Sequence, residues 1–169
     1  MQALSRVHAP TALRAAPSEG AVRAREDQAI ARALRILEKR VGESGPLLGE
    51  PATCGAFFRL RLGGEEREHF EAAFLNNRHQ LIAVERLFSG TVDGAEVHPR
   101  VVIQRAMALN AVAVLLAHNH PSGNTEPSAA DRALTARLKA ALGLVDVRLL
   151  DHFVVTAREA VSMAARGWV

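Results

Sequence analysis

A run of seven apolar residues, residues 111–117, leads directly into a segment that reads His118-Asn119-His120-Pro121. The length of the run and its β-branched content predict a buried strand rather than a helix. Side chains alternate between the two faces of a strand, which places His118 and His120 on the same side. Two imidazole nitrogens on one side can bind a single cation, so the segment indicates a metal site.

The residues after the histidines predict a loop and then a helix. Pro121, Gly123 and Pro127 interrupt regular structure, and a helical pattern begins at Ser128. Asp131 would then lie in the first helical turn, where it can point back towards the histidines. Two histidines and one aspartate leave one position open on a four-coordinate zinc ion, as in catalytic rather than structural sites.

Part of this pattern also has a purely structural interpretation. Ser128 and Asp131 fit a helix N-terminus without any metal, with Ser128 as N-cap and Asp131 stabilised by the helix dipole. The two histidines are harder to explain by packing, because buried imidazoles need hydrogen-bond partners. The metal interpretation is therefore favoured for the histidine pair.

These residues and their flanks resemble a known family. The segment from His118 to Asp131 is similar to the JAMM (MPN-plus) metalloprotease signature, a His-x-His-Pro loop followed by Ser-x-x-Asp. Asn119 and the Pro-Ser-Gly after His120 look like the RadC branch of that superfamily, and the similarity covers about residues 66–169. The flanking segments that share it are residues 88–91, 97–100, 109–111, 150–152 and 166–167.

The resemblance implies an α/β (α+β) fold of the JAMM/MPN type, cytidine-deaminase-like, with a mixed sheet flanked by helices. It also implies a zinc metallopeptidase that cleaves a peptide or isopeptide bond in a peptide or protein substrate.

The family's catalytic glutamate stands at the start of a neighbouring strand, a context that Glu68 matches. Glu71 is the alternative, on the opposite strand face by its odd spacing. Ser128 resembles the serine that supports the oxyanion. The implied zinc ligands are His118, His120 and Asp131.

The alternative function is that of a non-catalytic DNA-repair or mobile-element accessory protein. Such a protein would keep the metal-binding loop that begins at His118 for stability or partner binding. The RadC name implies repair, but many members carry an N-terminal helix-hairpin-helix region that the first 65 residues here do not show. The net charge is only +3, and the sequence has no basic run with interleaved aromatic residues. We therefore expect any DNA binding to be weak.

The chain before the main domain is predicted to consist of a tail and a helical arm. Residues 1–24 are rich in Ala, Arg, Pro and Ser, which predicts a disordered tail. Residues 25–50 are assigned to an amphipathic helix with its linker, and residues 51–169 to the RadC-like JAMM/MPN domain. The apolar stripe of the helix could dock on its own domain, the more common outcome, or form a homodimer. This stripe consists of Ile30, Leu34, Leu37 and Val41.

Further elements follow from apolar patterns and turn residues. Strands are predicted at 70–75, 81–88, 145–150 and 153–156, and a helix from Pro99 to about Leu109. The apolar run around residues 57–62 is too brief to assign. His69, His79, His98 and His152 have no partner at ligand spacing and are predicted to be polar or structural.

Length and composition indicate the class of protein and the compartment that suits it. With 169 residues, 49% of them apolar, the chain can build one globular domain with a sizeable core. Its longest apolar run is too short to cross a bilayer. The single cysteine, Cys54, excludes an internal disulfide and suits a reducing compartment, so we expect a cytoplasmic protein with an inert thiol.

Overall fold

The structure is a computed structural model that describes residues 18–90 and 97–169, without the side chains of residues 37–44. A five-stranded sheet lies at its centre, with helices on both faces. In chain order the elements are α1 (Glu19–Ser44), α2 (Pro51–Leu62), β1 (His69–Leu75), β2 (Leu81–Ser89), α3 (Pro99–Ala108), β3 (Ala113–Asn119), α4 (Ala129–Gly143), β4 (Arg148–Val155) and β5 (Ala160–Ser162), followed by a 3₁₀ turn at Ala164–Arg166.

The sheet has the strand order β2-β1-β3-β4-β5. Strands β3 and β4 are parallel, and the other neighbouring pairs are antiparallel. A parallel pair needs a crossover connection, and α4 provides it between β3 and β4. The predicted α/β fold with a mixed sheet flanked by helices is therefore confirmed.

The two faces of the sheet carry separate apolar cores. Helix α2 covers one face, where Phe58 and Leu62 pack with Leu115 and Phe153. Helices α3 and α4 cover the other face. Strands β1 and β3 are buried along their whole length because helices cover both sides of them. The alternation of side chains along β3 therefore decides which helix each of its residues meets, and His118 points to the face of α4.

Most predicted elements of the domain are confirmed, namely β1, β2, α3 and α4. The unassigned segment forms α2, which begins with Pro51 at a position where a missing N–H is tolerated. The two strands predicted at 145–150 and 153–156 are wrong, because a single strand, β4, replaces them. Asp151 and His152 interrupt the apolar pattern of β4, yet both are buried with hydrogen-bond partners.

The helical arm differs from its prediction. Helix α1 begins at Glu19, so residues 19–24, which were assigned to the tail, are helical. Ser18 caps the helix, because its side chain accepts a hydrogen bond from the backbone N–H of Ala21. Of the predicted stripe, Ile30 is 41% exposed and Leu34 is half-buried. Residues 1–17 and the side chains of Leu37 and Val41 lie outside the described residues.

Cys54 is a residue of α2, and its side chain is buried in the core between this helix and the sheet. Burial, and then the negative charge of Asp151, raise the pKa of its thiol to about 11. The thiol is therefore protonated at neutral pH, as expected for an inert core cysteine. In the part of the chain that the structure describes, no helix has the length and apolar character needed to span a membrane.

Candidate metal centre

Three potential ligands converge at the end of β3. His118 is the second-last residue of this strand, His120 follows it, and Asp131 lies in the first turn of α4. The Nε2 atoms of the two histidines are 3.0 Å apart. The carboxylate oxygens of Asp131 lie 3.3 Å from Nε2 of His118 and 3.7 Å from Nε2 of His120. The structure thus brings together the three residues that the sequence predicted as zinc ligands.

The protonation of His118 follows from a chain of hydrogen bonds behind it. The backbone carbonyl of Asp131 only accepts, so the Thr135 hydroxyl donates to it at 2.6 Å. That hydroxyl must then accept from Nδ1 of His152 at 2.7 Å. Burial, and then the nearby His118, hold the pKa of His152 well below its ordinary value, so the ring is neutral. Its Nε2 therefore accepts from Nδ1 of His118 at 2.9 Å, so the Nε2 atom of His118 is the one that faces His120 and Asp131.

His120 is oriented in the same way by the loop that follows β3, residues 121–127. Its Nδ1 donates to the backbone carbonyl of Asn124 at 2.7 Å, so its Nε2 faces His118 and Asp131. Gly123 adopts φ +80°, a left-handed conformation that glycine reaches without strain and that lets the loop turn back on itself. The loop therefore orients His120 through its backbone.

This arrangement fits a bound cation. When both rings are neutral with the proton on Nδ1, each Nε2 carries a lone pair, and two lone pairs at 3.0 Å repel unless a positive charge lies between them. Tetrahedral zinc, with bonds of about 2.0–2.1 Å to nitrogen, would separate its ligand atoms by roughly 3.3–3.4 Å. The three observed separations of 3.0, 3.3 and 3.7 Å lie on both sides of that value. Iron and manganese also accept two histidines and a carboxylate.

Ser128 and Asp131 form a capping box at the start of α4. The backbone N–H of Ser128 donates to Oδ2 of Asp131 at 2.7 Å, and the N–H of Asp131 donates to the Ser128 hydroxyl oxygen at 3.1 Å. Burial opposes the charge on Asp131, but its contacts with His118 and Ser128 outweigh burial and hold its pKa below the ordinary range. The cap predicted for these residues is present, and it also orients the carboxylate towards the histidines.

His152 is a site residue that the sequence prediction missed. We predicted a polar or structural role, but the structure places it against His118. Parallel pairing of β3 and β4 sets His152 opposite Leu116, on the same face of the sheet as His118. Spacing in the sequence cannot reveal a neighbour on another strand. The Leu-Asp-His segment at 150–152, which resembles the RadC family, was the one available signal.

We expect His152→Phe to weaken zinc binding roughly 10- to 100-fold, because His118 loses the acceptor that fixes its tautomer. His152→Gln should recover part of the affinity, since its amide oxygen can accept the same hydrogen bond. Competition with a chromogenic chelator measures both affinities. Thr156→Val is the control, because the Thr156 hydroxyl bonds, among the described residues, only to residues 158 and 159 and not to a proposed ligand. Equal affinities for wild type and His152→Phe would contradict the assignment.

The two candidate general bases, Glu68 just before β1 and Glu71 within it, face opposite sides of the sheet. Phe70 pairs with His118, and extending this register by two residues sets Glu68 opposite His120. Glu68 is half-buried, and no ion pair involves its carboxylate among the described side chains. Glu71 points to the α2 face, where it is fully buried and pairs with Arg61 at 2.6 Å. The structure therefore separates the alternative base, Glu71, from the histidines.

A family model and several curated proteins are similar to this chain. A family model described as "RadC-like JAB domain" matches residues 48–168. A UPF0758 protein of Xanthomonas campestris pv. campestris (strain 8004) is 57% identical over 127 residues, which cover 75% of this chain and 56% of the relative. A UPF0758 protein of Halorhodospira halophila is 55% identical over 138 residues, covering 80% of this chain and 62% of the relative. The chain thus spans about 56–62% of the length of these relatives.

Proposed function

The chain belongs to the RadC-like JAB domain family, and from this premise we propose that it is a zinc-dependent hydrolase acting on a peptide or isopeptide bond. The observation that carries the proposal is the convergence of two imidazole nitrogens and one carboxylate at the end of β3. His118, His120 and Asp131 would hold the metal. A bound zinc ion would polarise the scissile carbonyl and lower the pKa of the attacking water towards about 7.

Glu68 is proposed as the general base. A base must be free to accept a proton, and three of the other glutamates near β1 and β2 are engaged in close ion pairs, whereas Glu66 is exposed to solvent. Glu65 contacts Arg86 at 2.6 Å, and Glu71 and Glu85 pair with other arginines. The carboxylate of Glu68 forms no ion pair among the described side chains. The register between β1 and β3 places Glu68 on the same side of the sheet as the histidines. Glu68 would take the proton from water and pass it to the leaving amine.

Ser128 is proposed to donate a hydrogen bond to the oxyanion of the tetrahedral transition state. In the structure its hydroxyl proton goes to Oδ2 of Asp131 at 2.6 Å. The catalytic role therefore requires the hydroxyl to exchange this acceptor for the substrate oxygen. Ser128 is exposed, and its cap interaction through the N–H of Asp131 uses the oxygen lone pairs rather than the proton. The two roles of the side chain are thus compatible.

The proposal is tested by hydrolysis of an unbiased peptide library together with isopeptide-linked lysine substrates. The full chain is loaded with zinc, and newly released amines are measured. We expect cleavage that a chelator abolishes and that added zinc restores. The chelated protein is the matched control for contaminating peptidases that need no metal. A zinc-loaded chain that cleaves nothing above this control would contradict the proposed activity.

A further inference from the structure

Asn119 lies between the two histidines in the sequence, but its side chain forms hydrogen bonds with a different part of the molecule. Alternation along β3 turns its side chain to the face opposite His118. The residue is only 2% exposed, so its carboxamide needs hydrogen-bond partners within the protein. It has three, and all of them belong to one short segment, residues 65–69, which leads into β1.

The hydrogen bonds of Asn119 bracket Glu68. Its Oδ1 accepts from the backbone N–H of His69 at 2.8 Å. Its Nδ2 donates to the carbonyl of Arg67 at 2.8 Å and to that of Glu65 at 3.3 Å. The carbonyl of Glu68 itself accepts from the N–H of Gly90 at 2.8 Å, across the β1–β2 ladder. The peptide groups on both sides of Glu68 are therefore fixed by Asn119, and the second of them is also held by Gly90.

We propose that Asn119 is a positioning residue that holds Glu68 beside His120. The inference rests on the proposed function, in which Glu68 is the general base. Both an acceptor and two donors are needed from one side chain, and a carboxamide supplies them without charge. Because Asn119 stands between the two histidine ligands at the end of β3, the segment that carries these ligands also fixes the backbone around Glu68. A catalytic group needs such positioning, since small displacements cost rate.

Cobalt(II) provides a test that needs no substrate. The pH midpoint of the visible absorption change of the cobalt-loaded chain reports deprotonation at the metal. The negative charge of Glu68 opposes that deprotonation, so Glu68→Gln should lower the midpoint, by about one pH unit. Asn119→Ala should shift it in the same direction, because Glu68 is no longer held. In the Glu68→Gln background, Asn119→Ala should add no further shift.

Asn76→Ala is the matched control. Asn76 lies at the other end of β1, and its carboxamide also makes three hydrogen bonds, to residues 78 and 80. This variant should lower stability without moving the midpoint. If Asn119→Ala does not fold, Asn119→Ser replaces it with the same expectations.

The outcomes separate the inference from the function on which it rests. Asn119→Ala shifting the midpoint equally with and without Glu68, or not at all, would overturn the positioning role alone. A midpoint that Glu68→Gln leaves unchanged would remove Glu68 as the base and the inference with it. Failure of the wild-type chain to bind cobalt would contradict the metal site itself.

Discussion

His120→Ala should reduce the zinc content of the purified chain from about one ion per chain to nearly none. The substitution leaves His118 and Asp131 as the remaining protein ligands. Two ligands do not hold zinc through purification, because sites of this type supply three or four. Elemental analysis after gel filtration, with protein concentration from amino-acid analysis, measures the ratio. Full occupancy in the variant would show that His120 is not a ligand.

The control for this experiment is His79→Ala. His79 lies in the turn between β1 and β2, where the Nε2 atom of its side chain contacts Arg148 at 3.4 Å. Zinc content should be unchanged, so a loss there would indicate general unfolding instead of a lost ligand. Metal binding to the folded state also raises stability by about 2.7 kcal/mol when free zinc is a hundredfold above its dissociation constant. Zinc should therefore raise the melting temperature of His79→Ala but not that of His120→Ala.

Local sequence was sufficient for the elements whose periodicity matches their environment. Strands β1 and β3 and helix α4 have apolar patterns that agree with burial, and Ser128 marks the start of α4 by its capping chemistry. Strand β4 was predicted as two pieces because Asp151 and His152 interrupt its apolar pattern. The structure pairs both with polar partners, and that compensation depends on contacts with other elements.

The same limit applies to the candidate site. The ligand triad could be predicted because His118, His120 and Asp131 are near one another in sequence, at spacings that a strand and a helix turn convert into proximity. His152 and Asn119 could not be assigned in this way, since their roles depend on strand order and register. The sheet places β1 and β4 on either side of β3. Only that order brings Glu68 and His152 to the two sides of the same pair of histidines.

The choice among the glutamates depends on charge as well as position. Glu71 is buried between Arg61 and Arg86, on the face of β1 away from the histidines. Replacing it would leave the half-buried Arg61 without its partner, which destabilises the fold instead of testing catalysis. Glu66 is exposed and lies two residues before Glu68, with only a distant contact to Arg23 at 3.9 Å. It is therefore the matched control for substitutions of the base.

Glu68→Gln should retain zinc while hydrolysis falls roughly a hundred- to ten-thousandfold, the range for a lost general base. Glutamine keeps the shape of the side chain but cannot accept the proton of the attacking water. The experiment compares the rate at saturating substrate with zinc content measured on the same sample, and Glu66→Gln should match wild type in both. Loss of zinc would make Glu68 a ligand. Retained zinc with an unchanged rate would move the catalytic role to another group. Because Glu65, Glu71 and Glu85 form ion pairs with arginines, that group would have to be a residue outside these ion pairs.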